Sequence, residues 1–377
     1  PEEKIAFLES PAAKIELARL AGLPLRDEET LPLITELRRT FPPDEAAILL
    51  QQARLRKRAA GKFPQAAQMY FVEEALEQAT NHTIAAMRAQ LLNKSADAGD
   101  WLDLGCGIGG DLLALAQFRS VIGYELDPLR AAFARANVAS AHLPHSVEVR
   151  AEDWVAALDG GTLPPTSAAF VDPARRIQGT ANSRKRVFSL YQMEPSIDAV
   201  RRLSARVPLV AVKVAPGVQD EEIPERCSLQ FISHDGVCKE AVLWFGLPKK
   251  QRWASVYDGA HWHRLDSAGA PPPQGDLAAS MFLYEPDPAV IRAGALAELY
   301  LTLGGKVMFA GKPHAPIYQN ALALAAKAGA SDVSPSRVLA IGDSVRTDLE
   351  GANANGFRCL FVTSGIHANE LGERANP

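Results

Sequence analysis

The chain has 377 residues, 47% hydrophobic and 22% charged, an ordinary balance for a folded globular protein of about two or three domains. Its formal net charge of −4 excludes a uniformly basic nucleic-acid binder but leaves room for a local basic patch. Cys106, Cys227, Cys238 and Cys359 are scattered without a CxxC pair, which argues against zinc and disulfide frameworks and suits a reducing cytoplasm. No apolar run approaches the roughly 20 residues of a membrane span, and PEEKIAFLES at the start lacks the pattern of a signal peptide. A first residue Pro1 rather than Met reads as a fragment.

Residues 1–95 read as helical. PAAKIELARLAG has helical spacing and a glycine stop. PPDEAAILLQQARLRKRAAGKF begins acidic and ends basic, as a helix dipole favours, and FVEEALEQATNHTIAAMRAQLL continues the helical pattern. From Asp100 the texture alternates. The strands WLDL, SVIGYELD, SVEVRAED, AAFVDPARR and VPLVAVKVAPG are interleaved with apolar helical segments such as DLLALAQF and PLRAAFARANVAS. Such alternation implies right-handed βαβ units and a parallel sheet. LQFISHDGVCKEAVLWFGL instead reads as two strands joined at Asp235-Gly236, an antiparallel hairpin. DSAGAPPPQGD, Asp266 to Asp276, is the best linker candidate, and a new α/β stretch begins after Gly304.

DLGCGIGGD places Gly105, Gly107, Gly109 and Gly110 between a strand and a helix. A turn this tight needs glycines for positive φ and for close approach of backbone to a ligand. The spacing satisfies the dinucleotide pattern GxGxxG and equally suits S-adenosylmethionine (SAM). Two carboxylates favour SAM: Asp103 at the end of the strand before the loop, and Glu125 at the end of the next strand, where it can accept both ribose hydroxyls. Asp111 follows the loop directly, and Asp153 after the third strand is placed to accept from an adenine amino group. A nicotinamide cofactor and a purely structural glycine turn are the competing readings.

FVDPARR sets Asp172 and Pro173 at the C-terminal end of the fourth strand, the edge where open parallel sheets bind ligands. Amino-methylating enzymes carry a DPPY-type motif there; Ala174 and Arg175 replace its second proline and its aromatic ring. Charge appears instead, in Arg175, Arg176, Arg184, Lys185 and Arg186, residues suited to phosphate forks and base stacking or to a solvated loop. Lys213 in the fifth strand is placed to orient substrate or to pair with a carboxylate. A second basic cluster, Arg54, Arg56, Lys57, Arg58 and Lys62, is either a solvated helix face or a nucleic-acid contact.

Six segments occur in order: RLRKRAAGKFPQAAQMYFVEEALEQAT, LDLGCGIGGD, FVDPARR, VKVAPG, GVCKEAVLWFG and FLYEPDPAVIRAGAL. Over roughly residues 1–300 they resemble a bacterial family of class I SAM-dependent methyltransferases with a C-terminal THUMP-like region. The resemblance implies an α/β fold with a helical N-terminal region (1–95) and a Rossmann-like methyltransferase sheet ending in an antiparallel hairpin (96–265). It further implies the truncated start of a THUMP-like region (276–303) and an RNA substrate, tRNA or rRNA. From about Gly304 the chain departs from that family. Residues 304–377 resemble the C-terminal part of a hydrolase of the haloacid dehalogenase (HAD) superfamily, class IIA. There Lys312 matches the phosphate-steadying lysine, and Asp343 and Asp348 of GDSVRTD match the acidic residues that hold magnesium.

Phosphoryl transfer in that superfamily needs an aspartate nucleophile in a DxD motif, and this sequence contains no DxD. The tail is therefore expected to be catalytically inactive, with magnesium relevant only if it functions. The leading expectation is a SAM-dependent methyltransferase acting on RNA. Asp103, Gly105, Gly107, Gly109, Gly110, Asp111, Glu125 and Asp153 would serve the cofactor, and Asp172, Pro173, Arg175, Arg176 and Lys213 the reaction. The alternatives are a magnesium-dependent HAD-type phosphatase and a non-catalytic RNA-binding protein on a degenerate methyltransferase core.

Overall fold

The structure is a computed structural model and describes residues 2–175, 189–267, 285–296, 315–327, 334–342 and 344–362. The chain forms two compact units, Pro1–Ser267 with Asp287–Ala295, and Ala268–Pro286 with Leu296–Pro377. Among the described residues no helix is long and apolar enough to cross a membrane.

The first unit begins with helices α1 (Glu2–Glu9), α2 (Pro11–Ala21), α3 (Thr30–Leu37), α4 (Pro43–Ala59), α5 (Glu73–Gln78) and α6 (His82–Ser95). Four strands follow with their helices: β1 (Trp101–Leu104), α7 (Gly110–Leu115), β2 (Val121–Tyr124), α8 (Pro128–Ser140), β3 (Val147–Arg150), α9 (Trp154–Asp159) and β4 (Ala168–Val171). Then come α10 (Ile197–Ser204), β5 (Leu209–Val214), β6 (Cys227–His234), β7 (Val237–Phe245), β8 (Arg252–Tyr257), β9 (Trp262–Asp266) and α11 (Pro288–Ala293).

The nine strands form one sheet in the order β9-β8-β6-β7-β5-β4-β1-β2-β3. β3, β2, β1, β4 and β5 pair in parallel, while β7 is antiparallel to both β5 and β6. The expected hairpin is present: Asp235 (φ 56°) and Gly236 (φ 68°) give its turn the two left-handed residues that match strand twist. β8 and β9 extend the sheet beyond it, with β8 parallel to β6 and β9 antiparallel to β8. Strand order reverses beside β1, so the loops after β1 and β4 flank a switch point.

The segment FVEEALEQATNHTIAAMRAQLL is not one helix. It breaks at Ala79–Asn81, where the Asn81 side chain caps α6 by accepting from Thr83 N at 2.8 Å. The last carbonyls of α5 are taken by lysines instead. Lys62 Nζ donates to Leu76 O (2.8 Å), Glu77 O (3.1 Å) and Ala79 O (3.1 Å).

Two fully buried side-chain amides tie the extended stretch before α5 to the rest. Gln52 of α4 donates to Phe71 O and accepts from Phe71 N, at 2.6 and 2.9 Å. Asn137 of α8 accepts from Tyr70 N (2.7 Å) and donates to Tyr70 O (3.0 Å) and to Ile108 O in the glycine loop (2.9 Å). Ile108, Phe133 and Ala136 share one apolar core with the N-terminal helices, so the helical region packs directly on the glycine loop. Asn137→Ala strands three buried backbone groups and is expected to cost about 2–4 kcal/mol, read as a lowered urea midpoint; an unchanged midpoint would refute this account.

In the second unit, α12 (Ala315–Lys327) and α13 (Glu350–Ala354) accompany two parallel strands, β10 (Leu339–Gly342) and β11 (Arg358–Phe361). Tyr318, Ala352 and Phe357 form its small core, with the Tyr318 and Phe357 rings 5.4 Å apart edge to face. Leu339, Ile341 and Leu360 are more than half exposed.

Candidate functional site: the glycine loop and the tip of strand four

The loop after β1 turns through Gly105 (φ 89°), Gly107 (φ 56°) and Gly109 (φ 91°), all in the left-handed region that favours glycine. The requirement at Gly105 is also steric: a Cβ there would lie 2.6 Å from the Asp172 carbonyl oxygen. A Cβ on Gly107 would meet nothing within 4 Å; that backbone faces open space, as a cradle for a ligand requires. Gly110 begins α7, and a side chain there would press on the Phe63 ring at 3.2 Å.

Glu125 lies at the end of β2, buried beneath the loop. Its carboxylate accepts from Gly107 N at 2.8 Å and from Asp127 N at 2.9 Å, while Asp127 caps α8 through Leu129 N and Arg130 N. Asp153 is exposed and caps α9, accepting from Val155 N at 2.8 Å. Both ribose-side and adenine-side candidates therefore hold backbone amides, each with further acceptor capacity.

Asp103 is wholly buried, and neither carboxylate oxygen has a hydrogen-bond partner. Burial, reinforced by the nearby carboxyls of Asp111 and Asp172, pushes its pKa well above the usual range; Arg88 opposes this. A buried carboxyl with no partner is costly and is a standing invitation to a cationic or hydrogen-bonding ligand.

The remaining candidates form an ion network. Asp111 is paired with Arg88 of α6, whose other guanidinium nitrogen pairs with Glu240 of β7; the guanidinium also lies over the Phe170 ring, 4.2 Å from its centroid. Asp111 keeps a raised pKa, because burial together with Asp172 and Glu240 outweighs Arg88 and Lys213. Lys213 Nζ donates to Asp172 Oδ2 at 2.8 Å and to Gln78 O at 3.4 Å. Burial works against its ammonium, but Asp172, Glu240 and Asp111 hold its pKa above the ordinary value. Of the two readings of Lys213, pairing with a carboxylate is the one observed.

Pro173 follows Asp172 at the tip, and Ala174 and Arg175 pair antiparallel with Glu194 and Met193. The Arg175 side chain, and Arg176, Arg184, Lys185 and Arg186 entirely, lie outside the described residues. The other basic cluster is spent on the protein's own carbonyls and carboxylates. Arg54 bonds Thr30 and Arg26 O, and Arg56 bonds Met69 O. Lys57 bonds Leu23 O and Pro24 O, Arg58 pairs with Glu73 and Glu77, and Lys62 caps α5. These contacts fasten α4 to its neighbours, while Lys57 and Arg58 remain exposed.

Arg88 and Glu240 were not among the candidates read from the sequence. Arg88 falls in the buried stripe of α6, four residues from Ile84 and from Leu92. An arginine in an apolar helical stripe was the available signal.

In the second unit Lys312 and Asp343 lie outside the described residues. Asp348 is buried and accepts from Ser344 N at 3.2 Å, packed so closely on Gly342 that a Cβ there would come within 2.1 Å of its carboxyl carbon. No cluster of metal-ligating side chains occurs among the described residues.

A family model described as HAD-hydrolase-like matches residues 309–377, and one described as a domain of unknown function (DUF8688) matches residues 2–59. No curated protein matches the chain. Among solved structures, a protein of Porphyromonas gingivalis W83, provisionally assigned as a methyltransferase, is 16% identical with a TM-score of 0.59 and covers 93% of each chain. A Streptococcus mutans methyltransferase-like protein bound to SAH is 12% identical, with a TM-score of 0.31 over 42% of this chain and 94% of its own. A T. thermophilus 16S rRNA methyltransferase bound to AdoMet and guanosine is 16% identical, with a TM-score of 0.32 over 46% and 43%. The strand order and the first of these likenesses make the fold an α/β, Rossmann-like methyltransferase sheet with a helical N-terminal region, followed by a HAD-like C-terminal part.

A group whose folded pKa is raised contributes stability that is present below its unfolded pKa and lost as pH rises through the folded one. Asp103→Asn is therefore expected to raise the melting temperature of the ligand-free protein near pH 8, with the gain vanishing towards about pH 4. Thermal melts across that range check it, and a variant no more stable than wild type near pH 8 would count against a buried unpartnered carboxyl.

Proposed function

We propose that the chain is a class I SAM-dependent methyltransferase acting on RNA. The observation that carries the reading is the pairing of an open glycine cradle at Gly107 with an unpartnered carboxyl, Asp103, buried behind it. Glu125, directly after β2, and Asp153, the N-cap of α9, are the acceptors for ribose and adenine, and the Gly105–Gly110 backbone takes the methionine end. These residue types fit SAM: carboxylates for its ammonium and hydroxyls, and bare backbone where it must come close. SAM, when bound, supplies a methyl group activated on a sulfonium.

The chain's own contribution is alignment, which accounts for much of the rate of an in-line displacement. Asp172, held by Lys213 at 2.8 Å, orients the accepting group through its N–H or O–H and is the place for the proton it sheds. Pro173 stiffens that turn. Arg175, Arg176 and the basic run that follows in sequence are assigned to substrate phosphates. RNA is supported by that run and by the resemblance to a family with a THUMP-like region, whose start is assigned to residues 276–303. The HAD-like part, residues 304–377, is assigned no catalytic role, since the sequence holds no DxD nucleophile; Asp343, Asp348 and Lys312 are read as a vestigial magnesium site.

Calorimetry should show SAM binding by the wild type and a loss of about tenfold or more in Glu125→Ala; no binding, or unchanged binding in the variant, would remove the reading. Radiolabelled methyl transfer to total RNA should be lost in Asp172→Ala. The altered tip, Asp172-Pro173-Ala174-Arg175, favours one other reading, a non-catalytic RNA-binding protein, which predicts RNA binding without label incorporation. For the tail, no magnesium-dependent hydrolysis of p-nitrophenyl phosphate is expected, and turnover abolished by Asp343→Asn would overturn its assignment.

A further inference from the structure

We propose that Arg88 is a positioning residue of the donor pocket: its guanidinium fixes the first turn after the glycine loop to the hairpin, and supplies the positive charge that the unpartnered Asp103 carboxyl faces. The assignment rests on the methyltransferase reading. Arg88 comes from the helical region, Asp111 from α7, Glu240 from β7 and Phe170 from β4. One fully buried side chain thus touches three elements that meet behind the loop. A planar guanidinium with donors in a fixed fork can hold two carboxylates and stack on a ring at once, which a lysine cannot.

The charge balance makes this more than a core ion pair. Four carboxyls, Asp103, Asp111, Asp172 and Glu240, surround two cations, Arg88 and Lys213. Lys213 is bonded to Asp172 at the half-buried tip, and Arg88 is the cation that acts on Asp103. Asp103 is the sheet partner of Phe170, the ring that carries the Arg88 guanidinium; of the groups that most affect its carboxyl, Asp111, Asp172 and Glu125 are acidic and Arg88 is the cation that opposes them. Without Arg88, Asp103 would hold its proton to still higher pH.

The test compares wild type, Arg88→Met and Arg88→Lys by calorimetry with SAM over about pH 5 to 9. Arg88→Met should bind at least about tenfold more weakly near neutral pH, with the deficit shrinking as pH rises. Arg88→Lys, which keeps the charge, should retain the wild-type pH profile. An Arg88→Met deficit that is equal at every pH, or absent, overturns the assignment. If the wild type binds no SAM, it is the methyltransferase reading that fails. Arg88 is then judged on the ligand-free protein by ¹³C titration of the Asp103 carboxyl, identified with Asp103→Asn. An upward shift of about one unit or more in Arg88→Met but not in Arg88→Lys supports the role, and no shift refutes it. Should Arg88→Met not fold, Arg88→Met/Glu240→Met removes the cation together with one anion, which buried ion networks tolerate better, and is read the same way.

Discussion

Five acidic side chains, Asp103, Asp111, Glu125, Asp172 and Glu240, lie buried or half-buried around one glycine loop, and much of the first unit's architecture holds them there; Glu125 is satisfied by backbone amides. Carboxyls removed from water must be protonated, paired or offered to a ligand. Arg88 pairs two of them, Lys213 pairs Asp172, and Asp103 is left without a partner. Both cations lead back to the helical region: Arg88 belongs to α6, and Lys213 also donates to the last carbonyl of α5. The N-terminal helices are thus a wall of the site.

The same dependence appears in neutral hydrogen bonds. Asn137 joins the glycine loop to the stretch before α5, and Gln52 completes that stretch from the other side. Phe63 packs where Gly110 has no side chain. Each contact joins residues distant in sequence, so the helical region helps to hold the loop in place. Long-range closure of this kind is entropically costly, and buried amides that satisfy several backbone groups at once offset part of it.

Much of the sheet was legible because periodicity and turn chemistry agree: the parallel strands are apolar runs between helical segments, and Asp235-Gly236 marks the hairpin. The glycine loop was legible for the same reason, since its conformation permits little else. β8 and β9 were not read as strands, although Asp258-Gly259 sits between them. They lie at one edge of the sheet, where half-exposed residues blur the alternation that marks a buried strand. The break between α5 and α6 was hidden because both helices share one apolar period; only the cap at Asn81 separates them. Partners were least legible of all. Composition marks Arg54–Lys62 as basic, but which carbonyls those side chains satisfy is settled by loops distant in sequence.

That last point narrows where an anionic substrate could be met. The cations of α4 and its exit are bonded to the protein's own backbone, to the Thr30 hydroxyl and to carboxylates, though Lys57 and Arg58 stay exposed. Lys213 is neutralised by Asp172. The run from Arg175 to Arg186 follows the strand-four tip directly in sequence, which is why the RNA reading assigns it to phosphates. Arginine dominates that run, and its planar fork binds phosphate in two-point fashion and can stack on a base. An aromatic ring at the tip would fix one base. In that reading, an arginine in its place would trade selectivity for one base against contact with the backbone.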